Sequence, residues 1–414
     1  MIGRLVMLWL AGLGLRITLL AVPPVLPLIH RDLGLSESAV AVLANLPVLM
    51  LAGSSIFGSL LVARQGARAA LIAGLALISV SSAFRGAGHS VVVLYALTFC
   101  MGLGIAVIQP AFPALTRRWF PSRIPLATSV WANGLLVGEA LSASLTLPLV
   151  LPLARGRWDV SFAIWGAFLA AVTFVFTVFT RSNGSGSVVL QTRWLPNFRD
   201  AKQWQLGLLQ SAASIAYFGA NAFLPDYLQL AGQDAVVGPC LAALNIGQLP
   251  ASLAVGVVPI RVVARTGTML AIAAVLLASI AGLYAGGAWA VGCAGLVGFC
   301  GAFILVLSFA VPALSAAPAD VARLSAGTFT IGYASAFLAS LAAGALWDAT
   351  HNAYTAFLPI AAAGSSWPHW VHGSVASCAT RIERVAGAGT SPWHDRAIVV
   401  SVGHRGQSIA LLLR

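Results

Sequence analysis

The chain has 414 residues, 59% of them hydrophobic and only 8% charged, with a net charge of +12. That composition lies far outside the range of soluble globular domains and points to an integral membrane protein. The positive charge does not imply nucleic acid, because the basic residues sit singly in short joints and make no solvated basic face.

Roughly 20 apolar residues cross a bilayer as a helix. The chain divides into about eleven such blocks, near 5–29, 39–63, 69–87, 91–115, 126–151, 160–180, 204–230, 236–259, 267–286, 288–314 and 323–347. The blocks are continuous and lack two-residue alternation, which excludes a β-barrel and predicts an all-α polytopic membrane protein. The first block has no long basic leader and no small-residue cleavage site, so it reads as a retained span. Assigning the joints to alternate sides places Arg4, Arg64, Arg68, Arg117, Arg118 and most other basic residues on one side, with Arg31, Arg85, Arg155 and Arg157 on the other. By the positive-inside rule the first side, with the N-terminus, is cytoplasmic.

In the first block, "LGLRITLLAVPPVLPLI" carries Arg16 near the middle of an apolar run and ends in Pro23, Pro24 and Pro27. A charge at membrane depth is costly, and such residues face a cavity or a partner. Guanidinium stays charged and its planar fork suits carboxylates and small oxyanions. The prolines remove backbone donors, which is tolerated at that depth only where other groups satisfy the freed carbonyls. Asn45 in the second block and Gln109 in the fourth are further polar candidates, although such amides commonly just bond a neighbouring helix.

The fifth block adds Trp131, Asn133 and Glu139, the last being the only acid well inside a block. Three roles are open to Glu139: counter-ion to Arg16, proton carrier, or receptor for a cationic solute. A buried carboxylate without a partner can take up a proton near neutral pH, whereas one beside an arginine stays ionised. Paired with Arg16 it leaves a nearly uncharged cavity suited to neutral or zwitterionic compounds. If the two are apart, Arg16 attracts a small anion.

In the seventh block Tyr217 and Asn221, four residues apart, share one helix face, and Tyr333 lies in the eleventh. Pro225 occupies the place of Pro27, so a matching helix break is expected there. Cys100, Cys240, Cys293 and Cys300 fall inside blocks and Cys378 in the tail, with neither metal-site nor disulfide spacing.

The chain repeats itself. "VARQG" at 62–66 returns as "VARTG" at 263–267, "FC" at 99–100 returns at 299–300, "PAL" at 113–115 at 312–314, and "LPLI" at 26–29 as "LPDY" at 224–227. Four matches in one order, offset by about 198 to 201 residues, predict two homologous six-helix halves in parallel orientation. The halves are expected at 1–181 and 204–363, joined by a cytoplasmic linker at 182–203 rich in Gly, Ser and basic residues. After a short apolar opening at 353–363, residues 364–414 become polar and hold four of the seven histidines. About eleven apolar residues do not span a bilayer, so a twelfth helix is doubtful from this stretch.

Two parallel six-helix halves joined by a cytoplasmic loop resemble the major facilitator superfamily. Within it, "GLGLRITLLAVPPVLPLIHRDLGLS", "GLGIAVIQPAFPALTRRWF" and "AYFGANAFLPDYLQLAG" resemble segments of the cyanate permease and nitroimidazole transporter family, over about residues 5–360. The resemblance implies a secondary transporter working by alternating access, multi-pass in the bacterial inner membrane. It further implies a small polar or anionic, cyanate-like solute, with protons a candidate coupling partner.

The expected solute contacts are Arg16, Gln109, Tyr217, Asn221, Asn45, Trp131, Asn133 and Tyr333, with Glu139 as coupling residue or counter-ion and Arg64, Arg68, Arg117 and Arg118 at the gate. The acid usual in the joint after the second span is missing from "GSLLVARQGAR", so its gating contact does not carry over. No catalytic residue, metal or cofactor is expected, and the protein reads as a monomer that binds no nucleic acid. The competing readings are a broad-specificity drug exporter using Glu139 for cations, and a non-transporting membrane sensor.

Overall fold

The computed structural model describes residues 1–180, 193–263 and 265–374, with the side chains of Asn45 and Arg261 among those left outside the description. Its elements are α1 (Ile2–Ile17), α2 (Leu26–Leu33), α3 (Glu37–Gln65), α4 (Ala67–Phe84), α5 (Val91–Trp119), α6 (Ile124–Leu153) and α7 (Trp158–Phe179). After the linker come α8 (Ala201–Leu230), α9 (Asp234–Val257), α10 (Thr266–Leu283), α11 (Gly287–Ser315), α12 (Val321–Thr350) and α13 (Leu358–Ser374). No strand occurs among the described residues. Eight of these helices are long and apolar enough to cross a membrane.

The packing repeats as the sequence does. In the first half α1 lies on α6, α3 on α5 and α4 on α7; in the second, α8 lies on α12, α9 on α11 and α10 on α13. Across the two halves, α3 meets α12 and α6 meets α9.

Lipid tails are as apolar as leucine, so helices in a membrane associate through close backbone approach and polar contacts. The α1–α6 pair shows the first device. A Cβ added at Gly12 would overlap the carbonyl oxygen of Trp131, one at Gly134 that of Trp9, and one at Gly138 that of Leu13. These three glycines fix the height of α1 against α6.

The first span is broken, as its prolines require. Helix α1 stops at Ile17, a short turn covers Pro23–Val25, and α2 resumes at Leu26. The Thr18 carbonyl, freed at the break, accepts a hydrogen bond from Arg85 Nη2 at 2.8 Å. Arg85 is the C-cap of α4, in the turn at the joint where the sequence places it. Its side chain is fully buried, with the guanidinium 3.7 Å from the Phe162 ring centroid. Hydrogen bonding to a freed backbone carbonyl and stacking on an aromatic face are what draw this cation inward.

The matching break expected at Pro225 does not form, and α8 runs through it to Leu230. One proline removes a single helix hydrogen bond, whereas Pro23, Pro24 and Pro27 together remove three within two turns.

Helix α13 continues past Ala363 to Ser374, seating a fully buried Trp367 against the second half. Residues 375–414, with Cys378, His394 and His404, lie outside the described residues, as do the side chains of His369 and His372.

At the end of the bundle away from Met1, His89 Nδ1 lies 2.6 Å from Asp32 Oδ2, which also accepts a bond from Trp158 Nε1 at 2.9 Å. These bonds, Trp158 first, hold the Asp32 carboxyl below the usual carboxylate range. A lowered folded-state pKa adds stability that is present above the unfolded value, near 4, and lost as pH falls through the folded one. Asp32→Asn is therefore expected to flatten the acid limb of a melting-temperature profile below about pH 4. Gly134→Leu is expected to lower stability by about 1–3 kcal/mol through overpacking, read as an earlier thermal transition of the purified protein.

Candidate functional site

Arg16 lies in the last turn of α1, where unpaired carbonyls favour a cation. The glycine contact of α1 with α6 brings it to Glu139, the residue after Gly138. Arg16 Nη1 donates to Glu139 Oε1 at 2.9 Å, and both side chains are about 4% exposed or less (4% and 3%). The counter-ion role is thus the one occupied in this conformation.

The pair is held from the second half as well. The Tyr217 hydroxyl on α8 lies 3.2 Å from Glu139 Oε2 and 3.1 Å from Asn245 Oδ1 on α9. The Tyr333 hydroxyl on α12 lies 3.5 Å from Arg16 Nη2 and accepts a bond from Gln109 Nε2 on α5 at 3.1 Å. Phe218 places its ring 5.8 Å from the Arg16 guanidinium, within reach of a cation–π contact. Six helices from both halves therefore converge on one ion pair.

Around it is a cavity of about 10 Å³, lined by Arg16, Glu139, Tyr217, Phe218, Gln248 and Tyr333 among others. That is room for one water at most. Toward the end bearing Met1, about two helical turns from Glu139, an aromatic stack closes the path. Trp131 lies between Phe112 and Phe309, at 4.6 and 4.9 Å between ring centroids. Phe309 meets Phe329, and Phe329 stacks on Tyr333. At the helix ends Arg117 Nη1 donates to the Ala313 carbonyl of the other half at 3.0 Å.

Of the residues expected at the site, Arg16, Gln109, Tyr217, Tyr333 and Glu139 come together. Asn221 turns back to its own helix, donating to the Tyr217 carbonyl at 2.9 Å. Asn133 accepts from Trp9 Nε1 and donates to Ser252 Oγ, bridging α1, α6 and α9 away from the cavity lining. Trp131 belongs to the stack, and the side chain of Asn45 lies outside the described residues.

Among the expected gate residues, Arg117 crosses between halves. Arg68 donates to Thr180 Oγ1 and the Thr177 carbonyl at the end of α7, while Arg64 and Arg118 are exposed. Sequence reasoning passed over Asn245 and Gln248, whose signal was available as two amides three apart in an apolar block. It passed over Phe218 too, which nothing in the local pattern distinguishes from a lipid-facing ring.

The Major Facilitator Superfamily model matches residues 6–366, nearly the whole described chain. The chain belongs to the Major Facilitator Superfamily. Within the superfamily it is similar to the uncharacterized transporter YycB of Bacillus subtilis (strain 168), with 25% identity over 349 residues, covering 82% of this chain and 85% of that protein. It is also similar to the cyanate transport protein CynX of Escherichia coli (strain K12), with 28% identity over 250 residues. That match covers 60% of this chain and 65% of CynX. The crystal structure of the facilitator FucP in the outward conformation has the same fold, with a TM-score of 0.67 at 16% identity, covering 88% of this chain and 98% of FucP. The fold and family are those of a multi-pass membrane transporter.

Removing one partner of a buried ion pair leaves an uncompensated charge, at a cost of about 3–5 kcal/mol, whereas removing both costs far less. Arg16→Met and Glu139→Leu are each expected to lower the thermal transition of this facilitator strongly, and the double variant to recover most of the loss. Additive losses in the double-mutant cycle contradict a direct pair.

Proposed function

We propose that the protein couples protons to the movement of a small monovalent anion of the cyanate class, with Arg16 binding the anion and Glu139 carrying the proton. The Arg16–Glu139 ion pair carries this reading. With Glu139 ionised the guanidinium is already neutralised and the cavity holds no net charge. Beside Arg16 the carboxylate rests ionised; a proton supplied from the acidic side of the membrane releases Arg16 and frees its fork for a planar or linear anion, so proton and anion enter together and the buried charge stays balanced. A solute of that size needs little expansion of the present cavity. The likeness to a cyanate transport protein is consistent with it.

In this reading residues 1–181 and 204–363 are the two moving halves, joined by the linker at 182–203. The Trp131 stack and the Arg117 bond to Ala313 are the closed gate on the cytoplasmic side of the inner membrane, where the N-terminus lies. A broad-specificity exporter of cations would need Glu139 free, whereas here both of its oxygens are engaged.

Uptake of radiolabelled cyanate into proteoliposomes under an inward proton gradient checks the assignment. Arg16→Ala is expected to lose uptake at least tenfold, the effect of about 1.4 kcal/mol in binding. Glu139→Gln is expected to keep cyanate exchange while losing accumulation driven by the proton gradient. Uptake of cyanate by Arg16→Ala at the unaltered rate removes the anion site.

A further inference from the structure

We propose that Tyr217 is a hydroxyl switch whose single proton points to Glu139 when that residue is ionised and to Asn245 when Glu139 is protonated, which makes Asn245 a positioning residue for proton binding. This rests on the reading of Glu139 as the proton carrier and adds to it a device in the second half.

The geometry is a competition of two acceptors for one donor. Tyr217 has one hydroxyl proton, and its oxygen lies 3.2 Å from Glu139 Oε2 and 3.1 Å from Asn245 Oδ1. Asn245 does not donate back, because the bond from its Nδ2 to the Leu241 carbonyl at 2.8 Å on its own helix turns the amide oxygen toward the tyrosine. An ionised Glu139 cannot donate either. With Glu139 ionised, Tyr217 donates to the carboxylate, and Asn245 Oδ1 retains only the bond from Gln248 Nε2 at 3.3 Å.

With a proton on Oε2, Glu139 becomes the donor to the Tyr217 oxygen. The tyrosine proton then swings to Asn245, and both contacts are satisfied. No bond is formed or broken beyond the O–H of Glu139, whose proton comes from solvent.

The other groups facing this trio are Arg16 from α1 and Tyr333 from α12. Helices α9 and α11 bring only amides and apolar groups to the cavity lining.

The reversal has a mechanical consequence. A hydrogen bond to an ionised acceptor is roughly twice as strong as one between neutral groups. Glu139 is on α6 and Tyr217 on α8, so the tie between halves is strong in the ionised state and weak in the protonated state. Proton uptake thus loosens the contact that must part when the halves rock.

The test reads the proton directly and needs no solute. The protonated-carboxyl band of Glu139 is followed by infrared spectroscopy on the purified full chain across a pH titration, and identified by its loss in Glu139→Gln. Without Asn245 Oδ1 the Tyr217 proton has no acceptor once Glu139 is protonated, so Asn245→Ala is expected to disfavour the protonated state and move the midpoint of the band to lower pH by about one unit, a tenfold loss of proton affinity. Asn245→Val, which fills the space and admits no water, gives the same shift if the alanine variant does not purify.

Tyr217→Phe removes the donor to the carboxylate, moves the midpoint the other way, and abolishes the effect of either Asn245 substitution. A midpoint indifferent to Asn245, or one shifted equally in the Tyr217→Phe background, overturns the switch alone. A Glu139 band absent at every pH overturns the proton-carrier reading together with the switch. Failure of cyanate uptake leaves this measurement unaffected and bears only on the solute.

Discussion

Everything at the centre of this protein is arranged around one buried guanidinium and the carboxylate that neutralises it. Neither charge is tolerable alone among helices immersed in hydrocarbon, and each makes the other affordable only if the backbones that carry them come close. The glycine contact between α1 and α6 supplies that approach, with Gly138 placed directly before Glu139. The break after Ile17 ends α1 one residue beyond Arg16, so the cation sits at the carbonyl end of a helix and not in the middle of one.

A second buried cation supports the first. Arg85 covers the Thr18 carbonyl two residues after Arg16 and rests on the face of Phe162. The proline-broken segment is therefore held by a hydrogen bond from the turn after α4 in the same half. This is how the chain accommodates irregular backbone at membrane depth, and it makes Arg85, from the turn that ends α4, a support of the site.

The second half contributes no charge to the cavity lining and governs the pair through hydroxyls and amides. Tyr217 reaches Glu139, and Tyr333 reaches Arg16 while taking a bond from Gln109 of the first half. Neutral groups can exchange partners at small cost, which suits an interface that must open, whereas a second fixed charge would hold the halves together. The Trp131 stack closes the same interface with apolar area, which likewise releases without leaving a charge unpaired.

How much of this was legible in advance depends on the range of the interaction concerned. Apolar runs of span length marked nearly every long helix, because desolvation of the backbone is decided within about 20 consecutive residues. The repeated "VARQG" and "VARTG" joints announced two equivalent bundles, and the packing of α1 on α6 and α8 on α12 follows that equivalence. Arg16 and Glu139 stood out for the same local reason, as charges inside apolar blocks.

Two other features depended on distant partners and were decided only by the fold. Arg85 reads as an ordinary solvated joint residue until Thr18 and Phe162 are seen beside it. Asn245 reads as an ordinary helix amide until its oxygen is found facing Tyr217. The sequence by itself determined which residues must be hidden from lipid, since that cost is local. Only the tertiary structure decided what they are hidden against, since each partner lies on another helix.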